Sequence, residues 1–229
     1  MGIFAISDLH LSEAVHKPMD IFGSIWTAHK EKIEENWRKA VSDGDTVLVP
    51  GDISWGMSFE EAVPDLRFIE SLPGKKILMS GNHDYWWTSV SKMNGMFDNM
   101  TFIKNTFYDL GGTAVCGSRG WILPSDDSFT AQDEKIYKRE IIRLRLSLDG
   151  AVRAGISDII CMMHYPPTNA AGDSTGFTEI FEQYGIKTVI YGHLHGVNAF
   201  ETGVKGEVRG VNYALVSADY LEFKPVRVR

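Results

Sequence analysis

Aspartate, asparagine and histidine recur in this chain at one kind of place, directly after short apolar runs. Ile3–Ile6 leads into Asp8-Leu9-His10, Val47–Val49 into Gly51-Asp52, and Ile77–Met79 into Gly81-Asn82-His83-Asp84. Ile159–Met163 leads into His164-Tyr165-Pro166-Pro167, and Val189–Tyr191 into Gly192-His193-Leu194-His195. Five of the seven histidines fall in these clusters; His16 and His29 lie outside, and His29 reads as helical packing. The donors are hard or borderline oxygen and nitrogen atoms, suited to manganese, iron or zinc rather than copper(I) or an iron–sulfur cluster. Glycine precedes Asp52, Asn82 and His193, where a missing side chain lets backbone come close. A lone Asp-x-His, Gly-Asp or His-x-His is a weak signal, and a histidine after an apolar strand is usually a packing residue. Five clusters in one ordered series point instead to a dinuclear metal site.

The elements that must carry these clusters read as α/β, with short β-branched runs alternating with longer helical periods. Strands are expected at Ile3–Ile6, Thr46–Val49, Lys76–Met79, Phe102–Phe107, Thr113–Cys116, Asp158–Met163 and Lys187–Tyr191, with one or two more between Tyr213 and Val228. Ile25, His29, Ile33, Trp37 and Val41 recur every four residues and define one helical face. Ser58 with Glu61 forms a capping box for a helix over Ser58–Leu72, stopped by Pro73-Gly74. A longer helix is expected over Asp133–Ala154, with Ile136, Ile141, Leu144, Leu148 and Val152 inward and Gly155 as its stop. In open α/β sheets, ligands gather outside the carboxyl ends of strands, which is where the clusters fall.

The series Asp-x-His, Gly-Asp, Gly-Asn-His-Asp, His, Gly-His-x-His resembles the calcineurin-like metallophosphoesterase superfamily, in its bacterial predicted-phosphohydrolase branch, from Asp8 to His195. The resemblance implies two packed mixed β-sheets flanked by helices, a four-layer α/β/β/α sandwich, as a single domain over residues 1–229. It implies that Asp8, His10 and His195 hold one metal, that Asn82, His164 and His193 hold the other, and that Asp52 bridges them. It places His83 over the leaving group, oriented by Asp84, and Asn82 near substrate. Two divalent ions (manganese, iron or zinc) about 3.5–4 Å apart clamp a phosphate and lower the pKa of a shared water. The resulting hydroxide attacks phosphorus in line while His83 protonates the departing oxygen.

One departure bears on substrate. In the phosphoprotein phosphatase branch the Gly-Asp motif continues to an arginine that grips a monoester's terminal oxygens; here the segment reads Gly51-Asp52-Ile53-Ser54-Trp55-Gly56. That favours phosphodiesters or nucleotides over phosphomonoesters. Arg119, in Gly117-Ser118-Arg119-Gly120-Trp121, is the candidate replacement, binding a phosphate oxygen bidentately, unless it merely pairs with Asp126 or Asp127. Trp55, Tyr85, Trp86, Trp87, Trp121 and Tyr165 gather near the motifs and could stack a flat leaving group, or else fill the core beneath loops. Asp98–Asp133 and the loop Thr168–Thr178 are expected to shape access to the site.

The totals agree with such an enzyme. Hydrophobic residues make up 44% and charged residues 23% of the 229, ordinary globular usage. No run approaches the roughly 20 apolar residues of a membrane span, and no signal peptide is evident. Cys116 and Cys161 each sit in an apolar run, as buried thiols in a reducing cytoplasm would. A net charge of −7 argues against broad nucleic-acid binding, though not against a small phosphorylated substrate whose site is made positive by metal. The competing readings are a phosphomonoesterase (protein or small-molecule phosphatase), a nuclease with a basic groove, and a metal-bound scaffold without catalysis.

Overall fold

The computed structural model describes residues 1–229, and the strands it contains divide between two sheets in two compact units. The first unit comprises Met1–Phe102 with Val216–Arg229, and the second comprises Ile103–Leu215.

The first unit runs β1 (Ile3–Ala5), α1 (His29–Ala40), β2 (Thr46–Val49), α2 (Phe59–Ser71), β3 (Lys75–Leu78), α3 (Val90–Asn94) and β4 (Met100–Phe102). The second contributes β5 (Tyr108–Asp109), β6 (Thr113–Ser118), α4 (Ala131–Arg153), β7 (Asp158–Met163), α5 (Gly176–Tyr184), β8 (Thr188–Tyr191), α6 (Gly196–Phe200), β9 (Gly206–Val208) and β10 (Val211–Leu215). The chain then returns to the first unit with β11 (Val226–Arg227).

The first sheet has the order β11-β1-β2-β3-β4, with β1 to β4 parallel and β11 antiparallel at its edge. The second has the order β5-β6-β7-β8-β10-β9, with the four inner strands parallel and β5 and β9 antiparallel. Both sheets are thus mixed, and helices pack on them as the α/β reading required. Parallel pairing has a direct consequence for chemistry: within each unit the carboxyl ends of neighbouring strands emerge side by side.

Two hydrophobic clusters hold the units. In the first, Val47 and Val49 of β2 and Leu78 of β3 meet Ile33 and Trp37 of α1 and Ala62, Leu66 and Ile69 of α2. Leu48, between the two valines, is buried as well, so β2 shows the continuous apolar run of an inner parallel strand. In the second, Ala114, Cys116, Ile159, Cys161, Met163, Val189 and Tyr191 alternate along β6, β7 and β8 and meet Leu144, Leu148 and Ala151 of α4. Helix α2 begins with the expected capping box, Ser58 Oγ accepting from Glu61 N–H at 3.3 Å.

Several expectations need correction. Helix α1 starts at His29, because Ala28 is in the left-handed region at φ 52° and Ser24–Trp26 forms a separate 3-10 turn; Ile25 is exposed. The strand expected at Phe102–Phe107 is displaced: β4 ends at Phe102, and the left-handed Asn105 at φ 58° interrupts the chain before β5. Helix α4 turns Ala151, Ser147 and Glu140 inward and leaves Val152 exposed, a rotation that apolar spacing alone did not disclose. Its stop behaves as expected, with Gly155 at φ 80° and its N–H on Val152 O.

Candidate functional site

In the first unit, the segment after β1 lies along the segment after β2. Asp8 N–H donates to Gly51 O, His10 N–H to Asp52 O and Leu11 N–H to Ile53 O, each at 3.0 Å, and Trp55 N–H returns to Leu11 O at 2.8 Å. The pairing continues beyond the sheet through kinked backbone: Asp8, His10 and Asp52 have φ of 58°, 46° and 51°. Left-handed backbone at a non-glycine residue costs about 1–3 kcal/mol and persists where surrounding structure over-determines it. Here the strain turns three donor side chains out of strand alternation. Donor atoms of Asp8 lie within 4.8 Å of those of His10 and also of those of Asp52, and all three residues are buried. His10 Nε2 stands 3.9 Å from Asp52 Oδ2.

The turn after β3 closes on the same carboxylate. His83 N–H donates to Asp52 Oδ1 at 2.8 Å. Gly81 is obligatory there, because a Cβ would fall 2.1 Å from Asp52 Oδ1 and 2.5 Å from Asp52 N. The His83 ring lies 4.5 Å from the Trp55 ring, and Trp55 stacks on His10 at 4.8 Å and 22°. Asn82, beside His83 in this turn, is half-buried.

Asp84 does not orient His83 through its carboxylate. Oδ1 accepts from Ile53 N–H at 2.8 Å, Ser54 N–H at 3.3 Å and the Trp86 indole at 3.0 Å, while Oδ2 accepts from Gly81 N–H at 2.7 Å. This side chain stitches the loop after β2 to the turn after β3, so it positions backbone rather than an imidazole. Burial, and next the neighbouring Asp52 charge, pushes its pKa upward against those backbone donors. His29 is more than packing: its Nε2 meets His10 O at 3.3 Å, and its ring lies edge-on to Trp26 at 5.5 Å.

In the second unit, Ser118 of β6 is in register with Met163 of β7, and Met163 with Tyr191 of β8. The residues that follow, Arg119, His164 and Gly192, are therefore neighbours. His164 N–H and Tyr165 N–H both donate to Arg119 O, at 3.1 and 2.9 Å, and Gly192 N–H donates to His164 O at 3.1 Å. His193 occupies the tip of a three-residue turn, with Leu194 N–H on Gly192 O at 2.9 Å and φ of 73°. Its ring centroid lies 5.1 Å from that of the buried His164 and 4.0 Å from that of Tyr165. His195, half-buried, precedes α6 as its N-cap residue.

A cavity of about 360 Å³ opens beside His193, lined by Trp121, Leu123, Tyr165, Thr168 and Asn169 among others. The segments expected to shape access thus supply walls of this cavity. Of the other aromatics, Trp86 is core and Tyr85 is exposed. Arg119 does not pair with Asp126 or Asp127. Its guanidinium approaches Glu140 at 3.9 Å and lies over the Trp121 ring at 4.7 Å. Glu140 escaped the sequence reading; the one available signal was a carboxylate sharing a helical face with Leu144 and Leu148.

The donors suit divalent ions. Carboxylate oxygens and imidazole nitrogens, most of them buried and held by strained backbone, form the oxygen-and-nitrogen set that manganese, iron and zinc accept. Strand-end donors of this kind on mixed α/β sheets form a candidate metal centre. A profile of the calcineurin-like phosphoesterase family matches residues 1–197, and the chain belongs to that family. It is a metallophosphoesterase, a hydrolase acting on phosphoric ester bonds. No curated protein sequence matches it significantly. Among solved structures, it is similar to a protein of unknown function from Aquifex aeolicus, with 18% identity and TM-score 0.55, covering 99% of this chain and 95% of that one. It is also similar to phosphopantetheinyl hydrolase from Mycobacterium tuberculosis, with 16% identity and TM-score 0.52, covering 98% and 95%. At these identities the likeness is one of fold. No helix is long and apolar enough to cross a membrane.

Proposed function

We propose that this metallophosphoesterase cleaves small phosphodiester or nucleotide substrates with two divalent ions, and that the lack of an arginine after Asp52 tilts it toward diesters. Asp8, His10 and His195 would hold one ion, Asn82, His164 and His193 the other, with Asp52 shared; family membership and the donor types support this assignment. Bound ions of this kind supply Lewis acidity to the phosphoryl oxygens and acidify a water for in-line attack. The protein's own contribution is positional. His83, whose backbone is fixed by Asp52 Oδ1, carries a proton to the departing oxygen. Asp84 keeps the loops bearing Asp52 and His83 in register through its four donors. Asn82 also contacts the phosphoryl group.

The observation that supports the diester preference is that no arginine follows Asp52 in Gly51-Asp52-Ile53-Ser54-Trp55-Gly56. The Trp55 indole stacks on His10 at 4.8 Å and lies 4.5 Å from both the His83 ring and Lys17 Nζ, so it brings no guanidinium fork to a terminal oxygen. The cavity lined by Trp121 and Tyr165 gives room for a small organic moiety. Cys116 and Cys161, in register on β6 and β7 and both free, support a place in the cytoplasm.

The test is a comparison of kcat/KM for bis-p-nitrophenyl phosphate and p-nitrophenyl phosphate, repeated with a nucleotide diester and its monoester product, after stripping and reloading with single metals. The diester should be favoured in both pairs. A strong monoester preference, abolished by Arg119→Ala, would overturn the diesterase reading and leave the metal chemistry standing.

A further inference from the structure

The second unit concentrates positive charge that ester cleavage does not use. Glu140 of α4 is buried, with 1% of its side chain exposed, and three guanidinium groups converge on its Oε1. Arg143 Nη1 stands at 2.7 Å, Arg139 Nε at 3.6 Å and Arg119 Nη2 at 3.9 Å. The other oxygen, Oε2, accepts from Ser118 Oγ at 2.8 Å.

Three guanidinium groups therefore share one carboxylate, on a chain whose net charge is −7. Glu140 orients the guanidinium groups but cannot neutralise them, and their outer edges reach solvent: Arg139 is 49% exposed, Arg143 27% and Arg119 24%. Arg119 Nε is a buried donor with no partner. Guanidinium forks pre-oriented by a buried carboxylate lose little freedom on meeting an anion, and their planar geometry matches phosphate oxygens. The cluster adjoins the second unit's donors, since the Arg119 carbonyl is bonded to the N–H groups of His164 and Tyr165. Trp121, beneath the Arg119 guanidinium, lines the cavity that also contains His193.

We propose that Arg119, Arg139 and Arg143 bind a second phosphate of the substrate, so that the preferred substrates carry a phosphate besides the ester that is cleaved. The proposal rests on the phosphoesterase reading for its location and on charge geometry for its ligand. Binding tests it without turnover: the full-length protein, as purified and after metal loading, is titrated calorimetrically with thymidine 3′,5′-bisphosphate, thymidine 5′-phosphate and inorganic phosphate. The bisphosphate should bind at least about 10-fold more tightly than the monophosphate, as one or two charge-assisted hydrogen bonds would give. Arg139→Gln, at a half-exposed position, and Arg143→Gln should each shrink that ratio toward one. Equal affinities in the wild type would overturn the proposal. Inorganic phosphate binding as tightly as the bisphosphate would overturn the substrate assignment and make the cluster a site for the free ion. With the p-nitrophenyl esters of the same two nucleotides, kcat/KM should show the same preference. A binding preference that persists in protein cleaving neither ester would sustain the subsite and refute the phosphoesterase reading instead.

Discussion

Replacing Gly81 with alanine tests whether the position of the Asp52 carboxylate matters to within an ångström. The new Cβ would lie 2.1 Å from Asp52 Oδ1, 2.8 Å from its Cγ and 2.5 Å from its backbone nitrogen, where real Cβ atoms stay beyond 3.0 Å. Rotating the Asp52 side chain relieves the first two contacts but not the third, so backbone must move by at least about 0.5 Å to reach ordinary packing distance. Asp52 is poorly placed to yield: its carbonyl accepts from His10 N–H, its Oδ1 accepts from His83 N–H, and its φ is 51°. The shift therefore passes to both neighbours. Overpacking of this kind costs about 1–3 kcal/mol of stability. A catalytic group displaced by roughly 1 Å costs on the order of 10²-fold in rate. The assay pairs elemental analysis with kcat/KM on the best substrate and thermal melting, using Gly95→Ala as control because its nearest neighbours are at 3.6 Å. Gly81→Ala should be folded, slightly less stable, under-loaded with metal and about 10²-fold slower, while Gly95→Ala should resemble the wild type. Wild-type metal content and turnover in Gly81→Ala would refute the reasoning, since the carboxylate would then be free to move without consequence.

Asp52→Asn should lower occupancy at both metal positions, and full two-metal loading in that variant would exclude a shared carboxylate. His83→Asn should keep its metals and lose about 10²–10⁴-fold in turnover, with the loss shrinking for leaving groups such as p-nitrophenolate that need no proton. A loss independent of leaving-group pKa would assign His83 to charge stabilisation. Lys76, fully buried with Nζ on the carbonyls of Glu70 and Leu72 at the end of α2, has its pKa lowered by burial from 10.5 to about 8. Between those values the unfolded chain binds more protons than the folded one, so Lys76 makes stability rise with pH across that window. Relative to Lys76→Met, the wild type should gain about 1–3 kcal/mol between pH 8 and 10.5. A flat difference in urea melts would show that Lys76 keeps its ordinary affinity for protons in the fold.

Much of the site was legible in order along the chain because the relevant signals are local. Apolar runs marked the strands, and the polar residues just past them marked where chemistry would emerge. Ser58 with Glu61 marked a helix start that the structure contains. Parallel pairing of β1 to β4, and of β6, β7, β8 and β10, turns that linear series into neighbouring loops within each unit. The misplaced strand near Phe107 and the rotated face of α4 have a common origin. Periodicity reports that a segment has an apolar face, whereas register and packing decide where the segment stops and which residues face inward.

Donor identity was a property of the sequence, since carboxylates and imidazoles after glycines carry their coordination chemistry wherever they are placed. What tertiary structure alone decided is how those donors are aimed and which charges accompany them. The left-handed backbone at Asp8, His10 and Asp52 goes with hydrogen bonds between segments distant in sequence, and although aspartate and histidine tolerate that region better than most residues, residue type alone does not say where it is adopted. Asp84, adjacent to His83 in sequence, spends its oxygens on Ile53, Ser54, Gly81 and Trp86, because burial obliges it to satisfy whichever donors the fold presents. Arg119 and Glu140 meet because β6 ends beneath the inner face of α4, and pairing at that separation depends on how the helix is rotated against the sheet.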